Sequence, residues 1–374
     1  MVATRDNSVR LDYLDALRTI ACFAVVMLHV TASNTYHVDF RSHEWNIFMF
    51  FESIVNWAVP VFVMISGSVM LRKQYTYTIV IKKTKRIVLL FIFWSVIYLF
   101  SDMLINKDIN YNENALWLQV VLQGHYHLWY MIMLCGLYII VPIIKVIVDK
   151  PPLMKAFILL SLIFSFIIPS IKDLPKLDVM EGVLKIPVIG ALFRAFSNIV
   201  EDTHFHFTVG FISYFVIGYY VVHEMEPRSF QAGILISIIS IVLGAILVYL
   251  EIRFASSKEA SGSFMQYYQF GILMQTVGLV RLAQYISGTR IIKVLAKLSP
   301  MTLGVYIIHP IILETLGRMG VSSLSFNPFI SVPVLALFIF SGTMVIAKII
   351  MKTPFNALIS ISRNKKRNES AENG

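Results

Sequence analysis

Along this chain, runs of about twenty apolar residues alternate with short polar connections, and that run length is what a helix needs to cross the hydrocarbon core of a bilayer. The pattern predicts an all-α, polytopic transmembrane bundle of about ten spans, near 13–33, 46–71, 87–106, 128–149, 153–171, 205–223, 229–252, 264–286, 298–318 and 328–351. Between the third and fourth, a shorter amphipathic piece from Asn114 to Gln123 reads as an interfacial helix. Two polar positions break the first run. Arg18 and His29 stand eleven residues apart, so their side chains share a helix face about 16 Å apart along the axis. An ionisable group at the bilayer centre costs about 2.5 kcal/mol or more, which makes such a group a mark of function by default. The bland reading is that Arg18 snorkels to the headgroups and His29 is a satisfied polar residue in a packed bundle.

Composition turns the pattern into a class. Hydrophobic residues make up 57% of the chain and charged ones 14%, with a mean hydropathy of +0.72, against about a quarter charged in soluble domains. The charges that remain are sorted. If the N-terminus is cytoplasmic, the inner connections gather Arg72, Lys73, Lys82, Lys83, Lys85 and Arg86, then Lys145, Lys150 and Lys155, then Arg290, Lys293 and Lys297. Asp102, Asp108, Glu113, Asp173, Asp178, Glu181, Glu201 and Asp202 fall on the opposite side. Lysine and arginine accumulating on alternate loops satisfy the positive-inside rule, so both termini are expected to be cytoplasmic. The net charge of +10 follows from this sorting. It suits membrane lipids or an anionic cytosolic ligand, and no nucleic-acid partner is needed to explain it. Cys22 and Cys135 lie in apolar segments and imply no disulfide framework. No small-residue cleavage site follows the first apolar run, which argues against a removable signal peptide. We expect one membrane domain over 1–360 and a basic, disordered cytoplasmic tail over 361–374.

Five short motifs recur in order along the spans. The first span reads LDYLDALRTIACFAVVMLHV and holds Arg18 and His29. The second ends VPVFVMISGSVM, with Pro60, Phe62, Ser66 and Gly67. The fourth begins HYHLWYM, with His127, Leu128 and Trp129; the sixth contains YFVIGYYV; the ninth begins LSPMTLGVYIIHP, with Ser299, Gly304, Tyr306 and His309. Any one of these is weak within an apolar helix, whereas five in sequence are specific. In them the chain resembles, nearly end to end, the acyltransferase-3 family of integral-membrane acyltransferases, in particular its short stand-alone members. One departure concerns the family's Arg-x-x-Arg pair before the third span. Here the segment is KKTKRI and the nearest match is Lys83 with Arg86. A lysine holds phosphate as a point charge without the bidentate fork of arginine.

The resemblance implies transfer of an acyl group, usually acetyl from acetyl-CoA, to a hydroxyl of a cell-surface or lipid-linked glycan. It implies a multi-pass protein of the plasma (inner) membrane that uses acetyl-CoA as substrate and needs no bound cofactor. The residues fit that chemistry. With a cytoplasmic N-terminus, Arg18 lies about 9 Å and His29 about 24 Å into the bilayer. Lys83 and Arg86 are suited to CoA phosphates, with Arg18 guiding the phosphate or pantetheine end; the bland reading of the cluster is an ordinary inner loop. His29 acts either as general base on the hydroxyl or as a transient acyl carrier. A histidine base is commonly oriented through its second nitrogen, and Glu52 and Asn56 fall at a suitable depth. Asp15 is expected to pair with Arg18 or cap the helix start.

The remaining polar positions are open to two readings each. Trp129 and Tyr130 are expected belt aromatics that could also stack on a sugar, with His125 and His127 beside them. Tyr306 could border the acceptor pocket, and His309, ahead of Pro310, could touch substrate or bond a neighbouring helix. Ser66 and Gly67 suit close helix approach. His204 and His206, two apart with only Glu201 and Asp202 nearby, fall short of a metal-ligand set. The competing class is a glycan or lipid transporter or flippase, which needs neither a donor anchor nor an intramembrane base.

Overall fold

The structure, a computed structural model, describes residues 11–105, 115–203 and 205–359. The expected tail over 361–374 and the loop acids Asp108 and Glu113 lie outside the described residues, as does His204; His206 belongs to a stretch whose side chains are not described. Helices follow one another as α1 (Asp12–Thr35), α2 (His43–Val55), α3 (Ala58–Met70), α4 (Tyr77–Ile105), α5 (Leu116–Gln123) and α6 (Trp129–Val148). Next come α7 (Pro151–Ser161), α8 (Ile168–Asp173), α9 (Glu181–Leu184), α10 (Pro187–Thr203), α11 (Phe205–Tyr219) and α12 (Phe230–Arg253). The last are α13 (Lys258–Phe264), α14 (Phe270–Tyr285), α15 (Arg290–Leu298), α16 (Thr302–Arg318) and α17 (Pro328–Met351). No strand occurs among the described residues, only an isolated bridge between Leu177 and Ala255.

Eight of the ten expected spans are long and apolar enough to cross a membrane, counting α2 with α3, α7 with α8, and α15 with α16 as one span each. The expected spans at 205–223 and 264–286 are the shorter helices α11 and α14, packed chiefly against α3 and α12. The pattern did not anticipate α9 and α10, which meet at a bend of 119°. The interfacial piece is α5. Outward faces such as Leu235, Ile239, Leu243 and Ile246 of α12 and Leu337, Phe338 and Val345 of α17 are apolar and exposed. Only a hydrocarbon solvent suits that much bare apolar surface.

The break in the second span has a local cause. Pro60 lacks the N–H that would bond the Asn56 carbonyl, and its ring crowds that position, so the second span turns at Asn56–Trp57 before restarting as α3. Gly67 lets α3 touch α11: a Cβ there would lie 1.9 Å from the Phe215 carbonyl oxygen. Gly218 answers from the other side, where a Cβ would lie 2.3 Å from the Met64 oxygen. Small residues bring membrane helices together because dispersion, not the hydrophobic effect, drives their packing. These motif glycines are therefore structural.

α1 is the central post, packed against α2, α3, α14, α15, α16 and α17. Leu14, Leu17, Ala21, Val26 and Val30 are buried in its core. Thr19 Oγ1 donates to the Leu295 carbonyl at 2.9 Å, tying the post to α15. A second apolar cluster, including Leu90, Phe91, Trp94, Leu128, Met131 and Ile307, joins α4 and α6 to α16. The space between post and second cluster is the site.

Candidate active site

A single cavity of about 1130 Å³ runs along this seam. Lys82, Lys83, Lys85 and Arg86 of α4, with Arg18 of α1, line its basic end. Val25, Leu28, Phe62, Leu134 and Leu303 form an apolar waist, and His29, His127, Trp129, Tyr130, Tyr267 and Tyr306 line the far end. Ser66 also faces it. Eleven residues of uninterrupted helix make the two faces of α1 coincide, so the spacing of Arg18 and His29 becomes the length of the cavity.

At the basic end the guanidinium is held. Arg18 Nη1 donates to Asp15 Oδ1 at 2.6 Å, three residues earlier, and that same oxygen accepts from Ser299 Oγ at 3.1 Å. The motif serine thus fixes Asp15, and Asp15 fixes Arg18. An arginine carries five N–H donors, so most of the fork stays available to an anion. Lys83 Nζ lies 3.4 Å from the Tyr75 hydroxyl and 4.6 Å from the centre of that ring. The aromatic face steadies the ammonium without neutralising it.

At the far end, His29 is partly buried. Its ring stacks on His309 with centroids 5.1 Å apart and meets Tyr126 edge-on at 5.2 Å. Glu52 and Asn56 do not orient it. Glu52 is buried and accepts from Thr35 Oγ1 at 3.4 Å, six residues beyond His29 and about 120° around the helix. Asn56 donates to the Met265 carbonyl at 2.6 Å, because the Pro60 break turns it away. Counting depth along two helices selected both residues, but neither meets the imidazole.

His309 is fully buried, with Nδ1 3.0 Å from the Val305 carbonyl oxygen. It stands behind His29, does not line the cavity, and bonds its own helix, not a neighbour. Tyr306 donates its hydroxyl to the His127 carbonyl, pinning the segment before α6 onto α16. That segment turns at Gly124, with φ +71°, where a Cβ would also strike the Phe91 ring at 2.6 Å. Trp129 stacks near-parallel on Tyr267, centroids 6.0 Å apart and planes 23° apart, leaving a flat aromatic wall.

Three residues at this end were not assigned from sequence. Tyr98 stacks on His125 at 4.1 Å and donates to the Ile307 carbonyl at 2.6 Å. Glu314 of α16 meets His125, with Oε1 3.0 Å from Nε2. Tyr267 comes from the connection before α14. The one available signal was Glu314 itself, a carboxylate in an apolar run five residues past His309.

The arrangement is a tube with a cationic mouth, an apolar waist and an imidazole-rich end. It can hold an elongated anionic donor and offer nitrogen lone pairs where its distal group would rest. No curated protein and no solved structure matches the chain. A family model described as an acyltransferase domain matches residues 11–352. With four of the five motifs lining one cavity and the fifth packing helix on helix in the same bundle, the chain belongs to the acyltransferase-3 family of membrane acyltransferases.

Proposed function

We propose that this protein is a plasma-membrane O-acyltransferase that moves an acetyl or related acyl group from cytosolic acetyl-CoA to a hydroxyl of a cell-surface or lipid-linked glycan. The observation that carries the reading is the single cavity joining Arg18 and the Lys82–Arg86 cluster to His29. Both termini and the basic end face the cytosol in this reading, in accord with the loop charges. The phosphates of CoA lodge among Lys83, Arg86 and Arg18. The pantetheine arm passes the apolar waist and brings the thioester to His29. The acceptor hydroxyl approaches from the far side, its sugar against the wall of Trp129 and Tyr267.

Two routes lead on from there. His29 takes the hydroxyl proton as oxygen attacks the thioester carbon, and the departing sulfur recovers that proton. Alternatively, His29 first accepts the acyl group itself. The test is incorporation of label from radiolabelled acetyl-CoA into the glycan fraction of membranes holding the full chain. Label is expected with the wild type and absent with His29→Ala. Equal labelling in both would remove His29 from the chemistry, and no labelling in either would refute the acetyl-to-glycan assignment.

A further inference from the structure

Four imidazoles meet at the far end of the cavity, and their hydrogen bonding divides them. His29 is held by ring contacts alone; among the described residues nothing hydrogen-bonds its ring. His127 sits at the end of an ordered chain. The Glu314 carboxylate can only accept, so His125 Nε2, 3.0 Å away, carries the hydrogen. A neutral His125 then has its lone pair on Nδ1. That atom lies 2.9 Å from His127 Nδ1, which must therefore donate. The remaining lone pair of His127 is on Nε2, a buried atom with no protein partner, in a residue that lines the cavity. His309 also leaves Nε2 unpartnered, but it stands behind the cavity wall. A histidine base is ordinarily oriented through its second nitrogen by a carboxylate; here a second histidine is interposed.

We propose that His127 is the base for the acceptor hydroxyl, with His125 and Glu314 as positioning residues, which leaves His29 to receive the acyl group. This rests on the acyl-transfer reading above and chooses between its two routes. In the first half-reaction a ring nitrogen of His29 attacks the thioester carbon. The N–C bond forms, the C–S bond breaks, and the thiolate takes the proton shed by the acylated imidazole, giving free CoA and an acyl-histidine. In the second, the acceptor oxygen attacks the acyl carbon while its proton passes to His127 Nε2. The O–C bond forms, the C–N bond breaks, and the departing His29 nitrogen recovers the proton from His127. Both imidazoles return to their starting state. As His127 gains its proton, its Nδ1 hydrogen can shift to His125, so the positive charge rests beside Glu314.

The half-reactions separate the claims. Purified full-length protein is mixed with radiolabelled acetyl-CoA alone, and release of free CoA is followed. Membranes from cells lacking the protein are then added, and label entering their glycan is measured. For Glu314→Gln we expect an unchanged first-turnover burst of CoA, an unchanged KM for acetyl-CoA and glycan labelling slowed about 100-fold. Glu314→Asp should recover at least about a tenth of the wild-type rate, since the charge is restored at shorter reach. Arg318→Gln, which removes only a distant partner 3.9 Å from the other carboxylate oxygen, should leave the rate within about twofold. If Glu314→Gln does not accumulate in the membrane, His125→Gln carries the same expectation.

The relay is overturned if Glu314→Gln labels glycan within about threefold of wild type, if burst and labelling fall together, or if neither variant accumulates, which would make the pair structural. A wild type that releases no CoA and labels no glycan overturns the acyl-transfer reading itself. A wild type that labels glycan without a burst keeps that reading and removes the acyl-histidine.

Discussion

The two ends of the cavity are built on different principles. The basic end gathers full charges on neighbouring turns of two helices, with Lys82 and Lys85 exposed and Arg18 about one-third exposed. Its positions need only be approximate, because a cation attracts phosphate over several ångströms and in several directions. The far end uses aromatic and imidazole rings contributed by α1, the 124–128 turn, α6, the connection before α14, and α16. There each ring is fixed by a neighbouring group: Tyr306 by the His127 carbonyl, His125 by Glu314 and Tyr98, His29 by His309 and Tyr126. Binding tolerates looseness, while proton and acyl transfer require reacting atoms at contact distance. In the proposed acyl transfer, the ordered packing falls where bonds would change.

That contrast can be broken in four ways, in falling order of expected effect. Gly67→Val should remove both ends together, since its side chain would enter the Phe215 backbone; protein extracted in mild detergent should lose its monodisperse peak, beyond the 1–3 kcal/mol usual for overpacking. Arg18→Ala should separate the ends. The KM for acetyl-CoA should rise about 10- to 100-fold through loss of a charged hydrogen bond, with kcat within about threefold. A matching fall in kcat would show the guanidinium acting on the transition state.

Salt should sharpen the same division. Raising ionic strength from about 0.05 to 0.5 M screens exposed charges, so the KM for acetyl-CoA should rise about threefold while kcat holds. A salt effect on kcat instead would place mobile charge at the far end. The smallest effect is expected from Glu52→Gln, because Glu52 bonds Thr35 on another face of α1. Glycan labelling should stay within about twofold of wild type; a hundredfold loss would restore Glu52 as the partner of His29.

Some of the far end was legible in one dimension. His29, His127, Trp129, Tyr306 and His309 were all named as candidates, and four of the five line the cavity. The partners of those residues were not legible. Glu52 was chosen because depth along a span is countable from sequence. The azimuth of α2 about its own axis depends on the Pro60 break and on packing against α1, and no residue count reports it. Glu314 went unassigned for the converse reason: its partner lies 189 positions earlier, on a five-residue turn whose direction depends on Gly124.

The solvent of this protein and much of its long axis can be read from the order of its residues alone. Run lengths match a bilayer, and eleven residues of helix set the distance from Arg18 to His29, because both follow from the rise per residue. Which side chains face one another across helices emerges only when the bundle is assembled. Those pairings depend on rotation, tilt and close approach at Gly67 and Gly218, which are collective outcomes of packing and leave no periodic trace in any single segment.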